Sequence, residues 1–186
     1  MIFNLLGKDI DKMPDFAFKL MSLMFSIRDR FVNVSKILDD FNIKPGHVVI
    51  DYGCGPGSFV NKASEMVGEN GKVFAVDIHE LAIEAINSRI KKDELGNVKA
   101  VLANDGKCPL EDNIADRIYA LDMFHMISKP KPFLQELHRL IKHDGFLFIS
   151  DGHQSRKESL AKIKEFELFD IIDENKHYIK CKSTKL

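Results

Sequence analysis

From residue 47 to residue 151, short apolar runs of strand type alternate with stretches of helical period, and few folds accommodate that alternation. The runs are HVVID (47–51), KVFAVD (72–77), NVKAVLA (97–103), ADRIYALD (115–122) and GFLFISD (145–151). Between them Phe59, Val60, Ala63, Met66 and Val67 make one helical stripe. Ala82, Ile83, Ile86 and Ile90 make a second, and Phe133, Leu134, Leu137, Leu140 and Ile141 a third. Strands this continuously apolar are buried on both faces, as in a parallel sheet with helices on either side. After residue 151 the rhythm changes. Ser155 and Glu158 form a capping box for a helix over about 156–165. FELFDII (166–172) and HYIKCKS (177–183) are then joined by a DENK turn far too short for a parallel crossover, so the sheet ends in one reversed strand.

Upstream of the alternation, residues 14–28 are too densely apolar for a simple amphipathic stripe, and with Pro14 at its start a helix buried on most sides is expected. A second helical pattern covers 31–41 and stops at Lys44-Pro45-Gly46. The expected organisation is one domain over 1–186, with an N-terminal helical cover (1–44) on an α/β core (45–183). With 27 basic against 28 acidic residues, the chain has no global field that would attract nucleic acid. Cys54, Cys108 and Cys181 are scattered, with no zinc-ligand spacing, so no metal site is expected; Cys54 reads as a small space-filler. The N-terminal apolar run is broken at once by Lys8, Asp9, Asp11 and Lys12, and no later run is long enough to span a bilayer. A cytoplasmic location is expected.

The first strand runs into DYGCGPGSF (51–59), a D-x-G-x-G-x-G pattern of Asp51, Gly53, Gly55 and Gly57. Glycines let a backbone approach a ligand closely, and in open α/β sheets ligands sit at the carboxyl ends of the strands. The loop is not the dinucleotide fingerprint, because the sixth places counted from Gly53 and Gly55 are Ser58 and Val60. An acid ahead of the first glycine disfavours a pyrophosphate and suits a ligand with a cationic amino group. Asp77 closes the next strand, where a carboxylate can accept from both hydroxyls of a ribose, and Asn104-Asp105-Gly106 follows the third.

The segments VVIDYGCGPGSF, VFAVDIH, NDGKCPLEDNIADRIYALDMFHMI and LHRLIKHDGFLFISDGH resemble, in order and spacing, the signature of class I S-adenosylmethionine-dependent methyltransferases. The likeness is strongest to the small-molecule branch that includes ubiquinone/menaquinone-biosynthesis-type (type 11-like) enzymes, and it covers roughly 31–183. The resemblance implies a Rossmann-like doubly wound sheet of seven strands in order 3-2-1-4-5-7-6, strand 7 antiparallel. It implies S-adenosyl-L-methionine as cofactor and a small-molecule methyl acceptor as partner. By the same resemblance Gly53, Gly55 and Gly57 pass close to the methionine part of the cofactor, with Asp51 on the amino-group side. Asp77 binds the ribose hydroxyls, Ile78 packs on the adenine, Asp105 and Gly106 face its edge, and Leu121 offers backbone contact to the amino group.

Catalysis is thinly marked. Asp122 and His125 after the fourth strand, and Asp151 and His153 after the fifth, lie on the correct rim; Asp122, His125 and His153 are the catalytic candidates. LDMF stands where amino-methylating enzymes of nucleic-acid bases carry a [DN]PP[YF] segment, which lowers that option. With no long insertion late in the chain, the Met- and Phe-rich stretch 16–31 is expected either to roof the acceptor pocket and select an apolar or flat substrate, or simply to pack; a third use, resting on a membrane surface, has only Lys19, Arg28 and Arg30 to support it. The alternative from another class is a non-catalytic, cofactor- or partner-binding member of the same fold. A dehydrogenase is disfavoured by the glycine pattern.

Overall fold

The computed structural model describes residues 13–104 and 107–184. Seven strands carry the fold: β1 (Val48–Tyr52), β2 (Lys72–Asp77), β3 (Val98–Leu102), β4 (Ala115–Ala120), β5 (Ile141–Ile149), β6 (Phe169–Glu174) and β7 (Ile179–Ser183). They form one sheet in the order β3-β2-β1-β4-β5-β7-β6. Pairings from β3 through β5 are parallel, whereas β7 pairs antiparallel with both β5 and β6. The expected order and the reversed strand are both present.

Side chains alternate across each strand, so the parallel strands feed two cores. On one face Val49, Val73, Ala75, Tyr119 and Phe148 meet α2 (Val60–Val67), α3 (Glu80–Lys92) and a 3₁₀ helix, Val34–Phe41. On the other, Ile50, Val76, Ile118, Leu147 and Ile149 meet α4 (Pro130–Leu140) and α5 (Arg156–Lys164). Phe41 is fully buried, stacked on Phe148 at 3.9 Å and edge-on to Tyr178 at 5.2 Å. Burying one such ring is worth about 1.5–3 kcal/mol. Arg117 fixes this short helix from below, donating to the Phe41 and Asn42 carbonyls at 2.9 and 3.2 Å.

Local chemistry sets the helix ends. Gly68 (φ 64°) stops α2, and Ser155 with Glu158 forms the expected capping box of α5. For α4 the start falls at Lys129, without a side-chain cap, and Pro130 takes the first turn.

The N-terminal region differs in detail from its sequence pattern. The first helix, α1 (Asp15–Phe31), runs three residues beyond the expected 14–28, and the 31–41 pattern becomes the 3₁₀ helix that starts at Val34. Nor is α1 buried on most sides: Phe18 is its one buried residue, and Phe16, Leu20, Leu23, Met24, Ile27 and Phe31 are exposed. Those six positions follow the spacing of one helical face, pointing away from the sheet. No helix among the described residues is long and apolar enough to cross a membrane.

Candidate active site

The carboxyl ends of β1, β2, β4 and β5 share one rim, and the glycine loop lies on it. Gly53, Gly55 and Gly57 all have positive φ (80°, 50° and 88°), a region where a side chain is strained. The loop is tied to β2: the N–H groups of Gly53 and Cys54 donate to the Val76 carbonyl at 2.8 and 3.0 Å, and that of Gly55 to Asp77 Oδ2 at 2.9 Å. A Cβ at Gly57 would come within 2.7 Å of Ile86, and one at Gly53 within 2.9 Å of Met123. At Gly55 it would meet nothing within 4 Å. Gly55 therefore needs no glycine for protein packing, only for its dihedral and for whatever approaches from the open side.

Asp51 points to the same face as Val49 and is 1% exposed. Its Oδ2 and the Tyr119 hydroxyl are buried without a hydrogen-bond partner. Burial first, and then the charge of Asp77, push the Asp51 carboxyl well above the ordinary carboxylate range. Asp77 is also raised by burial, opposed by the N–H groups of Gly55 and His79. Each Asp77 oxygen accepts one of these N–H groups at 2.9 Å, so the carboxylate that sequence assigned to a ribose also braces its own loop. A carboxylate has about four acceptor sites, which leaves capacity on both oxygens. Cys54 is a buried, unpaired thiol with its pKa pushed well up by burial, so it fills space and is no nucleophile.

Ile78 is partly buried against the core and Leu121 is buried at the end of β4. Asp105 and Gly106 lie outside the described residues. The segment that follows them is held by the buried Glu136, which accepts from the Cys108 N–H at 3.0 Å and from Arg139 at 2.7 Å; Arg139 in turn donates to the Leu110 carbonyl at 2.7 Å.

On the other half of the rim, Asp122 has φ 59°, unusual for a residue other than glycine, and its N–H donates to Ser150 Oγ at 2.7 Å. Its carboxylate side chain is 44% exposed. His125 and His153 are edge-on at 4.8 Å. The His125 ring lies against Gly152, whose Cβ would collide with Nδ1, and that nitrogen is buried without a partner. Burial, then His153, lower the His125 pKa below its usual value. His153 itself is exposed, and Asp151 is taken up by Arg156 at 2.9 Å. Among the described residues no group of three or more His, Cys, Asp or Glu side chains is placed to hold a metal ion.

Two residues of this rim were not singled out in the sequence as site residues. His79 is 2% exposed, stacks under Phe18 at 4.2 Å, accepts the Leu81 N–H and reaches the Met13 carbonyl at 3.1 Å. Arg28, at the far end of α1, donates to Asp122 Oδ2 at 3.1 Å and to Ser58 Oγ at 3.3 Å. Helix α1 thus spans the rim from the end of β2 to the end of β4. A histidine right after the Asp77-Ile78 pair was a visible signal for the first residue; nothing in the local pattern marks Arg28.

The buried acids and open-sided glycine loop fit a ligand with a cationic amino acid end and a ribose, and known proteins point the same way. The sequence pattern of a family described as a methyltransferase domain matches residues 43–183. The ubiquinone/menaquinone biosynthesis C-methyltransferase UbiE of Pasteurella multocida (strain Pm70) is 27% identical over 136 residues, 73% of this chain and 51% of its own length. The chain spans about half the length of such curated relatives. Among solved structures, a SAM-dependent methyltransferase from Aquifex aeolicus superposes with a TM-score of 0.77 at 27% identity, covering 92% of this chain and 98% of that one. The [4+2]-cyclase SpnF, at 15% identity and a TM-score of 0.64 over 75% of this chain and 57% of its own, shares the fold alone. The chain belongs to the methyltransferase domain family.

Proposed function

We propose that the protein transfers a methyl group from S-adenosyl-L-methionine to a small-molecule acceptor. The observation that carries this reading is the pairing of Gly55, open on its ligand side, with the buried, incompletely satisfied carboxyl of Asp51 on the strand that leads into the loop. When bound, the cofactor supplies a methyl carbon on a sulfonium, which an acceptor lone pair attacks in line while the C–S electron pair stays on sulfur.

The chain's own residues supply position, charge and dryness. Gly53, Gly55 and Gly57 let the loop pass along the methionyl chain. Asp51 and Asp77 face the amino group and the ribose, Ile78 packs on the adenine, Leu121 turns its backbone to the amino group, and Asp105 with Gly106 borders the adenine edge. Asp122, just past the end of β4, would offset the positive charge of the sulfonium. It is open enough for an acceptor to reach, which favours turnover over a merely binding member of the fold. His125, kept neutral by burial, can take a proton from an acceptor that must lose one, and His153 flanks it. Helix α1 forms the cover, with Phe18, Phe25 and Arg28 among its rim-side residues, so the acceptor would enter beneath it. The exposed face from Phe16 to Phe31 does not roof the pocket.

Calorimetric titration with S-adenosylhomocysteine, with NADH as control ligand, tests the cofactor. One-to-one binding in the micromolar range that weakens at least about 100-fold in Asp77→Ala is expected, since that variant leaves the loop N–H and the ligand hydroxyls unpaired. Absence of binding to the folded wild-type protein would overturn the reading.

A further inference from the structure

The charges on the glycine-loop side of the rim do not balance the ligand proposed for it. Asp51, Asp77 and Asp122 are all acids, suited to an ammonium, a ribose and a sulfonium. The methionyl end of the cofactor also carries an α-carboxylate, for which none of these three acids is a partner. Residues 43–183, the part matched by the family pattern, bring Arg89 to the outer side of the loop, where its terminal nitrogens donate to Asn61 Oδ1 and the Pro56 carbonyl at 3.2 and 3.4 Å and its Nε is buried without a partner; it makes no bond to Asp122.

The cation that reaches across to Asp122 comes from outside that region. Arg28 bridges Asp122 and Ser58, so its guanidinium spans the gap between the end of β4 and the exit of the glycine loop. It is held in place before any ligand arrives, with its guanidinium 4.2 Å from the centre of the Phe25 ring and Nε donating to Asp29 at 2.9 Å. Of its five N–H groups these bonds use three, and each terminal nitrogen keeps a second hydrogen. Beside Ser58 the structure opens into a cavity of about 290 Å³ between α1 and the loop, lined by Ser22, Ser26, Asp29 and Arg30 on the helix and by Pro56 and Arg89 opposite. The buried Ser22 hydroxyl there has no partner.

We propose that Arg28 binds the α-carboxylate of the cofactor, with Ser58 as its companion donor, so that α1 is fastened to the occupied site through the ligand as well. The assignment rests on the methyltransferase reading. A planar fork matched to a carboxylate is the usual reason for arginine rather than lysine at such a place. Helix α1 then has two anchors, Phe18 on His79 and Arg28 on Ser58 and Asp122, and the ligand's carboxylate would reinforce the second.

The test compares two ligands on three proteins. S-adenosylhomocysteine carries the amino acid end; 5′-methylthioadenosine has the same nucleoside and thioether but lacks it. Arg28→Ala is expected to weaken S-adenosylhomocysteine about 10- to 100-fold, the worth of a charge-assisted pair, and to leave 5′-methylthioadenosine within about twofold. Arg28→Lys should recover part of the loss. Equal weakening of both ligands would mean that Arg28 only holds α1 in place, and no weakening of either would mean that it faces solvent; each overturns the assignment. Retained 5′-methylthioadenosine binding reports that the variant is folded. Should the wild-type protein bind neither ligand, the cofactor reading fails instead, and the two failures are distinct.

Discussion

The two halves of the rim are built differently. At β1 and β2 the site is made of backbone: glycines with positive φ, N–H groups committed to Val76 and Asp77, and a carboxyl sealed under the loop. At β4 and β5 it is made of side chains on turns, with Asp122 pinned through Ser150 and two histidines in edge contact, one of them exposed. A site of backbone suits a ligand that never changes, because it has few rotamers to adapt. A site of side chains suits a partner that differs between relatives. The proposed division into a cofactor half and an acceptor half follows from that contrast, and experiments can break it.

The largest effect is expected inside the loop itself. Gly57→Val combines an unfavourable left-handed φ, costing about 1–3 kcal/mol, with overpacking against Ile86 of about 1–3 kcal/mol. Urea denaturation should show a loss of about 2–6 kcal/mol, a large share of the total stability of a domain this size. Gly55→Ala meets open space, so only the dihedral term applies, about 1–2 kcal/mol. Its affinity for S-adenosylhomocysteine should nevertheless fall at least about tenfold. If the two variants destabilise alike, or if Gly55→Ala binds normally, the open side of the loop is not where the ligand passes.

A smaller effect, read through pH, bears on the buried acids. Asp51 and Asp77 have folded-state pKa values raised above the unfolded value of 3.8, both chiefly by burial. Folding therefore favours their protonated forms. Their contribution to stability is fully present below the unfolded value and is lost as pH rises through the raised, folded values. A cationic ligand reverses the preference, because it stabilises the ionised carboxyls. Binding of S-adenosylmethionine should release protons, and its affinity should rise with pH across the same window. Titrations in two buffers of different ionisation enthalpy measure the proton count, and Asp51→Asn should reduce it. An affinity flat with pH and no proton release would mean that Asp51 stays protonated beside the ligand.

How far the sequence revealed each half has the same physical root. Strand periodicity and the short DENK turn specify the sheet and its reversed strand, because both depend on neighbours a few residues apart. The loop was legible for the same reason: Asp51, Gly53, Gly55 and Gly57 are consecutive in the chain and in the site. Arg28 and Asp122 are ninety-four positions apart, and their pairing depends on the path of α1, which no local pattern encodes. Helix α1 also shows how a dense apolar pattern misleads. Its apolar residues are shared between a rim-side face holding Phe18 and Phe25 and an outer face from Phe16 to Phe31, and composition alone could not divide them.

The smallest expected effect lies in the side-chain half and tests whether its two histidines act as a unit. His125 is lowered first by burial and next by the charge of His153, with Asp122 opposing and Lys162 adding a little. A histidine whose folded pKa is depressed costs stability on acidification, from the unfolded value near 6.5 down to the lowered one. Replacing His153 by Ala removes the second cause and leaves the burial. The His125 imidazole, followed by NMR, should then titrate slightly higher, while urea stability at neutral pH changes by no more than about 0.5 kcal/mol, as for an exposed side chain. Gly152→Ala acts from the other side. The added methyl takes the space of the His125 ring, so the ring must leave its pocket, lose its burial and titrate near its ordinary value. If both variants leave the titration where it was, the low pKa of His125 belongs to some other contact. The β4–β5 half would then contain two independent histidines, and His153 would no longer belong among the residues proposed for catalysis.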